Sequence, residues 1–318
     1  MKPILYLTRP LAIDAQDYLG EDAIVRVNPD DRPLTKTEII EAAQGAQGLI
    51  SMLHDPIDVQ LLDALPELKV IANVAVGYNN IDVQACAERN IVVCNTPGVL
   101  TDATADITWT LILACTRRVR EGERMVRAGD FDGWGPNMLL GPSLQGKTLG
   151  IYGMGRIGQA VARRAIAFGM RVIYHNRKTA QIDFSAQLVS KEDLLKRSDI
   201  LSLHAPLTPQ THGAFGRSEL EQMKPSAVLI NTARGPMVDE AALVQALDAG
   251  TIWGAGLDVY ELEPTVHAGL IDRDDVVLLP HLGSATTECR QEMARMALSD
   301  ALAVITDRQP KHSVSTKG

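Results

Sequence analysis

At 318 residues the chain exceeds what one hydrophobic core usually organises, so two lobes are expected. Its 46 % apolar and 22 % charged residues are those of a soluble globular protein, and no run approaches the ~18 unbroken apolar residues of a membrane span. The net charge of −8 speaks against a nucleic-acid partner, which needs a surplus of Lys and Arg on some face, yet leaves room for a few arginines to hold a small anion.

Cys86, Cys94, Cys115 and Cys289 are scattered, without a CxxC pair or a His/Cys spacing that suits zinc, so buried thiols and no metal are expected. The opening MKPILYLTRP runs into a strand-like stretch without the basic flank and cleavage site of a signal peptide, and cytoplasmic residence is the expectation.

Along the chain, short apolar runs alternate with amphipathic ones: ILYL, a helix over 11–19, AIVRV, a helix after Thr35, GLISML, a helix over 59–65, LKVIANVAV, a helix over 82–88 and IVVC. Thr35 and Glu38 form a capping box that starts the second of these helices by satisfying its free N–H groups. Alternating strands and helices imply a parallel sheet covered on both faces. Residues 101–128 then read as one long helix, with Ile107, Leu111, Ala114 and Val119 on its apolar positions. After the Gly/Pro-rich FDGWGPNMLLGPSLQG a second series begins, with KTLGIYGMG, RVIYH, DILSLHA, AVLINTA, WGAGLDVY and VVLLPH. A last helix over 286–305 could return to the first lobe, making that domain discontinuous, and the tail from Gln309 is expected to fray. The fold class is α/β, with two doubly wound parallel-sheet domains.

Gly153, Met154, Gly155, Arg156, Ile157 and Gly158 lie between the strand TLGIY and a helix starting near Arg156. The first glycine permits the tight turn, the second lets backbone approach a pyrophosphate, and the third lets the helix pack on the sheet, as in the Rossmann-like dinucleotide fold. An acid at the end of the next strand would bind the ribose hydroxyls and repel a 2′-phosphate. Here RVIYH is followed by Asn176, Arg177 and Lys178, with no acid. Because charge-assisted hydrogen bonds contribute about 1.5–3 kcal/mol each, NADP(H) is favoured over NAD(H) by about ten- to a hundredfold. A merely solvated basic turn is the alternative.

Three segments at strand ends carry the remaining polar residues: NTARG, DVYELEP and LLPHLGSAT. In open α/β sheets ligands bind beyond the carboxyl ends of strands, so Arg234, Glu263 and His281 could share a cleft. Together with the glycine turn, these segments resemble the four signature regions of the D-isomer-specific 2-hydroxyacid dehydrogenases, in family order over nearly the whole chain. The resemblance implies a catalytic triad of Arg234, Glu263 and His281. It also implies a discontinuous substrate domain at 1–100 and 285–318, with a dinucleotide-binding domain at 101–284. Among cofactor contacts it implies Thr104, His204, Pro206, Thr211, Thr232, Ala233, Asp258 and Gly283 in addition to the glycine turn. Asn73-Val74-Ala75-Val76-Gly77 resembles the loop whose amides bind the substrate carboxylate, with Val76 and Gly77 as donors, and Leu53-His54 resembles a second substrate loop. Asn79 departs from the aspartate frequent there.

The chemistry needs these residue types. Arginine's planar fork can hold a 2-keto acid and polarise its keto oxygen. The oxygen becomes an alkoxide as hydride arrives, so a charged donor such as His281 must stand near it, and a carboxylate such as Glu263 favours and orients the imidazolium. The NADPH-type turn, HLGSAT and GWGP around Trp134 resemble the glyoxylate/hydroxypyruvate reductase branch, in which a small 2-keto acid is reduced to the D-2-hydroxy acid. The resemblance further implies a homodimer, with Trp134 reaching the partner subunit's site. Two other readings stay open: an NAD(H)-sensing corepressor-like protein, and a dehydrogenase for a bulkier or phosphorylated hydroxy acid.

Overall fold

A computed structural model of the protein describes residues 2–315, in two compact units: the segments up to Leu100 and from Ala285 onward form the first, and Thr101–Ser284 the second. The first unit runs β1 (Ile4–Leu7), α1 (Ala15–Leu19), β2 (Ile24–Val27), α2 (Lys36–Ala42), β3 (Gly48–Ser51), α3 (Val59–Ala64), β4 (Val70–Asn73), α4 (Val83–Glu88) and β5 (Val92–Cys94). Side chains of Asp14, Thr35, Asp58 and Asp82 each accept a first-turn N–H, and Thr35 with Glu38 closes the capping box in both directions. The strands pair in parallel in the order β2-β1-β3-β4-β5. β3 and β4 are buried at every position, which is why they read as unbroken apolar runs and not as alternating ones.

The second unit starts with α5 (Thr101–Thr116) and α6 (Val119–Ala128), followed by β6 (Thr148–Tyr152), α7 (Arg156–Ala167), β7 (Arg171–His175), β8 (Gln187–Leu188), α8 (Lys191–Arg197) and β9 (Ile200–Leu203). It continues with α9 (Arg217–Leu220), β10 (Val228–Asn231), α10 (Glu240–Asp248), β11 (Gly254–Leu257), α11 (Ala268–Ile271) and β12 (Val276–Leu278). All its strands are parallel, in the order β12-β11-β10-β9-β6-β7-β8. The order reverses between β6 and β9, and a crevice opens beyond the carboxyl ends of strands at such a switch point. Finally α12 (Thr287–Ile305) packs on β3, β4 and β5 of the first unit.

Two expectations are corrected. The single helix over 101–128 is broken at Arg118, whose backbone is left-handed (φ 51°) and whose guanidinium clasps Glu121 at 2.6 and 2.7 Å. Burial decides the break: α5 sinks Trp109, Leu111 and Ile112 into the core, whereas α6 buries no residue. Nor does the tail fray through residue 315. Ser313 bridges Cys94 antiparallel, the Val314 N–H donates to Val93 O at 2.7 Å, and the buried Asp300 on α12 accepts from the Lys311 N–H at 2.7 Å and holds His312 at 2.8 Å. All four cysteines are buried free thiols, and burial pushes Cys86 up to about 11 and Cys94 up to about 12. Among the described residues no helix is long and apolar enough to cross a membrane.

Candidate active site

β6 ends at the switch point, and Gly153 follows with φ 101°, a conformation that side chains rarely adopt. A Cβ there would sit 2.6 Å from Ala205 N, beside the end of β9, and one at Gly158 would sit 2.3 Å from Gly153 O. Both glycines are therefore required for strand, turn and helix to pack. No side chain caps α7 at its N-terminal residue Gly155, and nothing lies within 4 Å of where a Cβ of Gly155 would be. The opening amides of α7, from Arg156 and Ile157, thus stand at the uncapped positive end of a helix beside open space, which fits a dinucleotide pyrophosphate. Met154 contributes backbone only, because its side chain is buried in the core.

At the end of β7, His175 stacks on Tyr152 and its Nδ1 lies 3.1 Å from Val189 O. Asn176 Nδ2 donates to Lys178 O at 2.9 Å, closing the turn that presents Arg177 and Lys178 to solvent. Neither cation has a carboxylate partner among the described residues. Beyond β9, Thr211 Oγ1 donates to Pro206 O at 2.7 Å, so these two expected contacts form one closed turn. His204 Nε2 meets Ser202 Oγ at 2.8 Å, while its Nδ1 is buried without a hydrogen-bond partner. Burial drives this ring down to about 3, so it stays neutral.

The proposed triad stands on three neighbouring strand ends. After β10, the buried Asn231 side chain accepts from the Ala233 N–H and donates to Arg234 O, both at 3.0 Å, which shapes the NTARG turn. Thr232 Oγ1 lies 2.9 Å from Thr108 Oγ1 of α5. The Arg234 guanidinium donates to Ala233 O at 2.6 Å; burial lowers its pKa, and the charge of Glu263 opposes that shift. Glu263 Oε1 accepts from the Tyr260 N–H at 3.1 Å, and Oε2 lies 3.0 Å from His281 Nδ1. An ionised carboxylate only accepts, so the ring hydrogen that faces Glu263 sits on Nδ1.

His281 itself has a left-handed backbone (φ 56°), costly for a side-chain-bearing residue. Asp258, fully buried at the end of β11, holds this turn by accepting from the Leu282 N–H at 2.6 Å and the Gly283 N–H at 2.8 Å, and burial raises its pKa. Thr104 Oγ1 donates to Gly283 O at 2.9 Å. Asp258 and Thr104, expected as cofactor contacts, thus support the histidine's turn. Asn231 and this supporting role of Asp258 were missed; an Asn or Asp at, or one residue past, the end of an apolar strand was the available signal.

In the first unit, the loop after β3 borders its own switch point between β1 and β3, and the loop after β4 lies beside it, at the end of the next strand. Leu53, Val76 and Gly77 are all partly exposed there. Asp55 accepts from Thr8 Oγ1 at 2.6 Å and from the Met52 N–H at 2.7 Å, and Asn80 Nδ2 donates to Met52 O and Asp55 O at 3.1 and 2.9 Å. Asn73 Nδ2 donates to Gly77 O at 2.9 Å, with its Oδ1 accepting from Ser51 Oγ at 3.0 Å. Both loops are therefore fixed by amide side chains, that of Asn73 buried and that of Asn80 partly so.

Residues 109–283 match the model of the D-isomer specific 2-hydroxyacid dehydrogenase, NAD binding domain, and the chain belongs to that family. It is an NAD(P)-dependent oxidoreductase. The chain is 44 % identical over 322 residues to the glyoxylate reductase of Thermococcus litoralis, covering 99 % of this chain and 97 % of that one. It is 45 % identical to the glyoxylate reductase of Aeropyrum pernix, covering 99 % and 96 %. Among solved structures, the NADPH-dependent glyoxylate/hydroxypyruvate reductase of Sinorhizobium meliloti, in complex with NADP and malonate, superposes with a TM-score of 0.89 at 34 % identity, covering 99 % of this chain and 97 % of that chain. The relatives are thus of the glyoxylate reductase branch to which the sequence motifs point.

Proposed function

We propose that this enzyme reduces glyoxylate or hydroxypyruvate to the corresponding D-2-hydroxy acid, preferring NADPH. The observation that carries this reading is the contact between Glu263 Oε2 and His281 Nδ1 at 3.0 Å, on a turn held in place by Asp258. The amides opening α7 would hold the pyrophosphate, and Arg177 and Lys178 would pair with a 2′-phosphate. Reduced nicotinamide, when bound, supplies the hydride. Arg234 orients the keto acid and draws electron density toward its oxygen. His281 gives a proton from Nε2 as that oxygen becomes an alkoxide, and Glu263 stabilises the imidazolium before transfer and keeps the ring aimed. In the first unit, the amides of Val76 and Gly77 suit a carboxylate, because they offer donors without a counter-charge to desolvate.

We also place the protein in the cytoplasm, where its four buried thiols would stay reduced, and assign it a homodimer. Support for the dimer comes from α6, which buries nothing within its own unit and exposes Val119 and Val126, and from the adjoining Phe131 and Trp134, the latter 81 % exposed. A monomer in sedimentation equilibrium would sink that assignment, and an unchanged substrate range in Trp134→Ala would sink a reach of Trp134 into the partner's site.

The decisive experiment follows nicotinamide absorbance while NADPH and NADH are each offered with glyoxylate, hydroxypyruvate and pyruvate. Fast NADPH oxidation by the first two is expected. His281→Ala should lose about 10²- to 10⁴-fold in kcat while keeping its NADPH affinity. Tight cofactor binding without turnover of any keto acid would instead favour a sensor.

A further inference from the structure

We propose that Asn95 is a positioning residue that aims the Gly77 amide at the substrate carboxylate; this rests on the reductase reading above. The inference begins with two consecutive peptide groups. Ala75 O accepts from the Thr96 N–H at 2.9 Å, and Val76 O accepts from Asn95 Nδ2 at 2.8 Å. A trans peptide is planar and its C=O and N–H point in opposite directions. Fixing the Ala75 carbonyl therefore turns the Val76 N–H away from residues 95–96, and fixing the Val76 carbonyl does the same for the Gly77 N–H. Among the described residues neither N–H has a protein acceptor, and both residues are partly exposed, so an anion can reach them. Two adjacent amides with pinned carbonyls and no acceptor form a receptor for an anion.

Asn95 is itself held from behind. Its N–H donates to His312 O at 3.2 Å, and the segment carrying His312 is anchored to the buried carboxylate of Asp300 through the Lys311 N–H and His312 Nδ1. The C-terminal strap thus sets the position of Asn95 without any contact from substrate. The Asn95 side chain then transmits that position to one peptide plane, and Asn73 fixes the next by donating to Gly77 O.

Asn95→Ala removes the donor, and Asn95→Asp keeps the size and the backbone bond to His312 while setting an acceptor against Val76 O. In both variants the KM for glyoxylate and the inhibition constant of oxamate, a non-reacting carboxylate analogue, should rise about tenfold, since a misaimed amide forfeits much of a charge-assisted hydrogen bond. The change in kcat should stay within about threefold, and NADPH affinity and the melting temperature should hold, a split that a purely structural role would not give. An unchanged KM and oxamate constant in either folded variant would overturn the proposal. So would loss of the fold in both, because Asn95 would then support the unit as a whole. Absence of glyoxylate turnover in the unmodified enzyme would instead remove the reductase reading, which separates the two failures.

Discussion

Replacing Asp258 by asparagine tests how the turn that carries His281 is built. The carboxylate accepts two amides, from Leu282 at 2.6 Å and Gly283 at 2.8 Å, and the residue before them, His281, has φ 56°. Asparagine keeps one acceptor oxygen but turns an NH2 toward the other amide, leaving a buried donor unsatisfied at a cost of about 1–3 kcal/mol. The left-handed backbone of His281 costs a further ~1–2 kcal/mol that the two bonds hold in check. A net loss of about 2 kcal/mol in favour of the built turn lowers the population of correctly placed imidazole about thirtyfold. Steady-state kinetics with glyoxylate should therefore show kcat down about thirtyfold in Asp258→Asn. NADPH affinity, read by fluorescence titration, should stay within about twofold, because the pyrophosphate turn at Gly153–Gly158 lies on a different strand end. Replacement also removes a charge whose pKa burial raises, so the native fold should not suffer in proportion. A kcat within threefold of the unmodified enzyme would refute the reasoning, and a loss confined to NADPH binding would restore Asp258 to the role of cofactor contact.

Two further outcomes are expected. Arg177→Ala should weaken NADPH about ten- to a hundredfold and leave NADH unchanged, since only the former offers a 2′-phosphate; equal effects in paired titrations would contradict the cofactor preference. His204 titrates near 6.5 in the unfolded chain and at about 3 in the fold, so the native state refuses a proton that the unfolded state accepts. The stability from this group is fully present above about pH 6.5 and is lost as pH falls through the window toward 3, reaching about 2 kcal/mol at pH 5. His204→Gln should lose correspondingly less between about pH 7 and pH 5 in urea unfolding, and an identical loss in both proteins would defeat the assignment.

Much of the molecule was legible because the signals are local. Apolar runs such as LKVIANVAV and VLIN declare buried parallel strands by lacking alternation, Thr35 with Glu38 declares a helix start, and Gly153 with Gly158 declares a turn that only glycine can make. Motif order then carried the family and its oxidoreductase chemistry, and it singled out Arg234, Glu263 and His281 as the triad proposed here.

What stayed hidden depends on partners distant in sequence. The helix break at Arg118 was invisible because charged and apolar residues continue through it, and only burial distinguishes α5 from α6. β8 has two residues, too few for any period. The tail read as polar and loose, yet a buried carboxylate on α12 holds it and the backbone at Ser313 and Val314 joins it to β5. Local periodicity and motif spacing are written along the chain, so the sequence alone determined most of the elements, their parallel class and the kinds of chemistry. Which amide a carboxylate holds, which carbonyl Asn95 pins and which way an N–H then faces are properties of packed neighbours, and these only the tertiary structure decided.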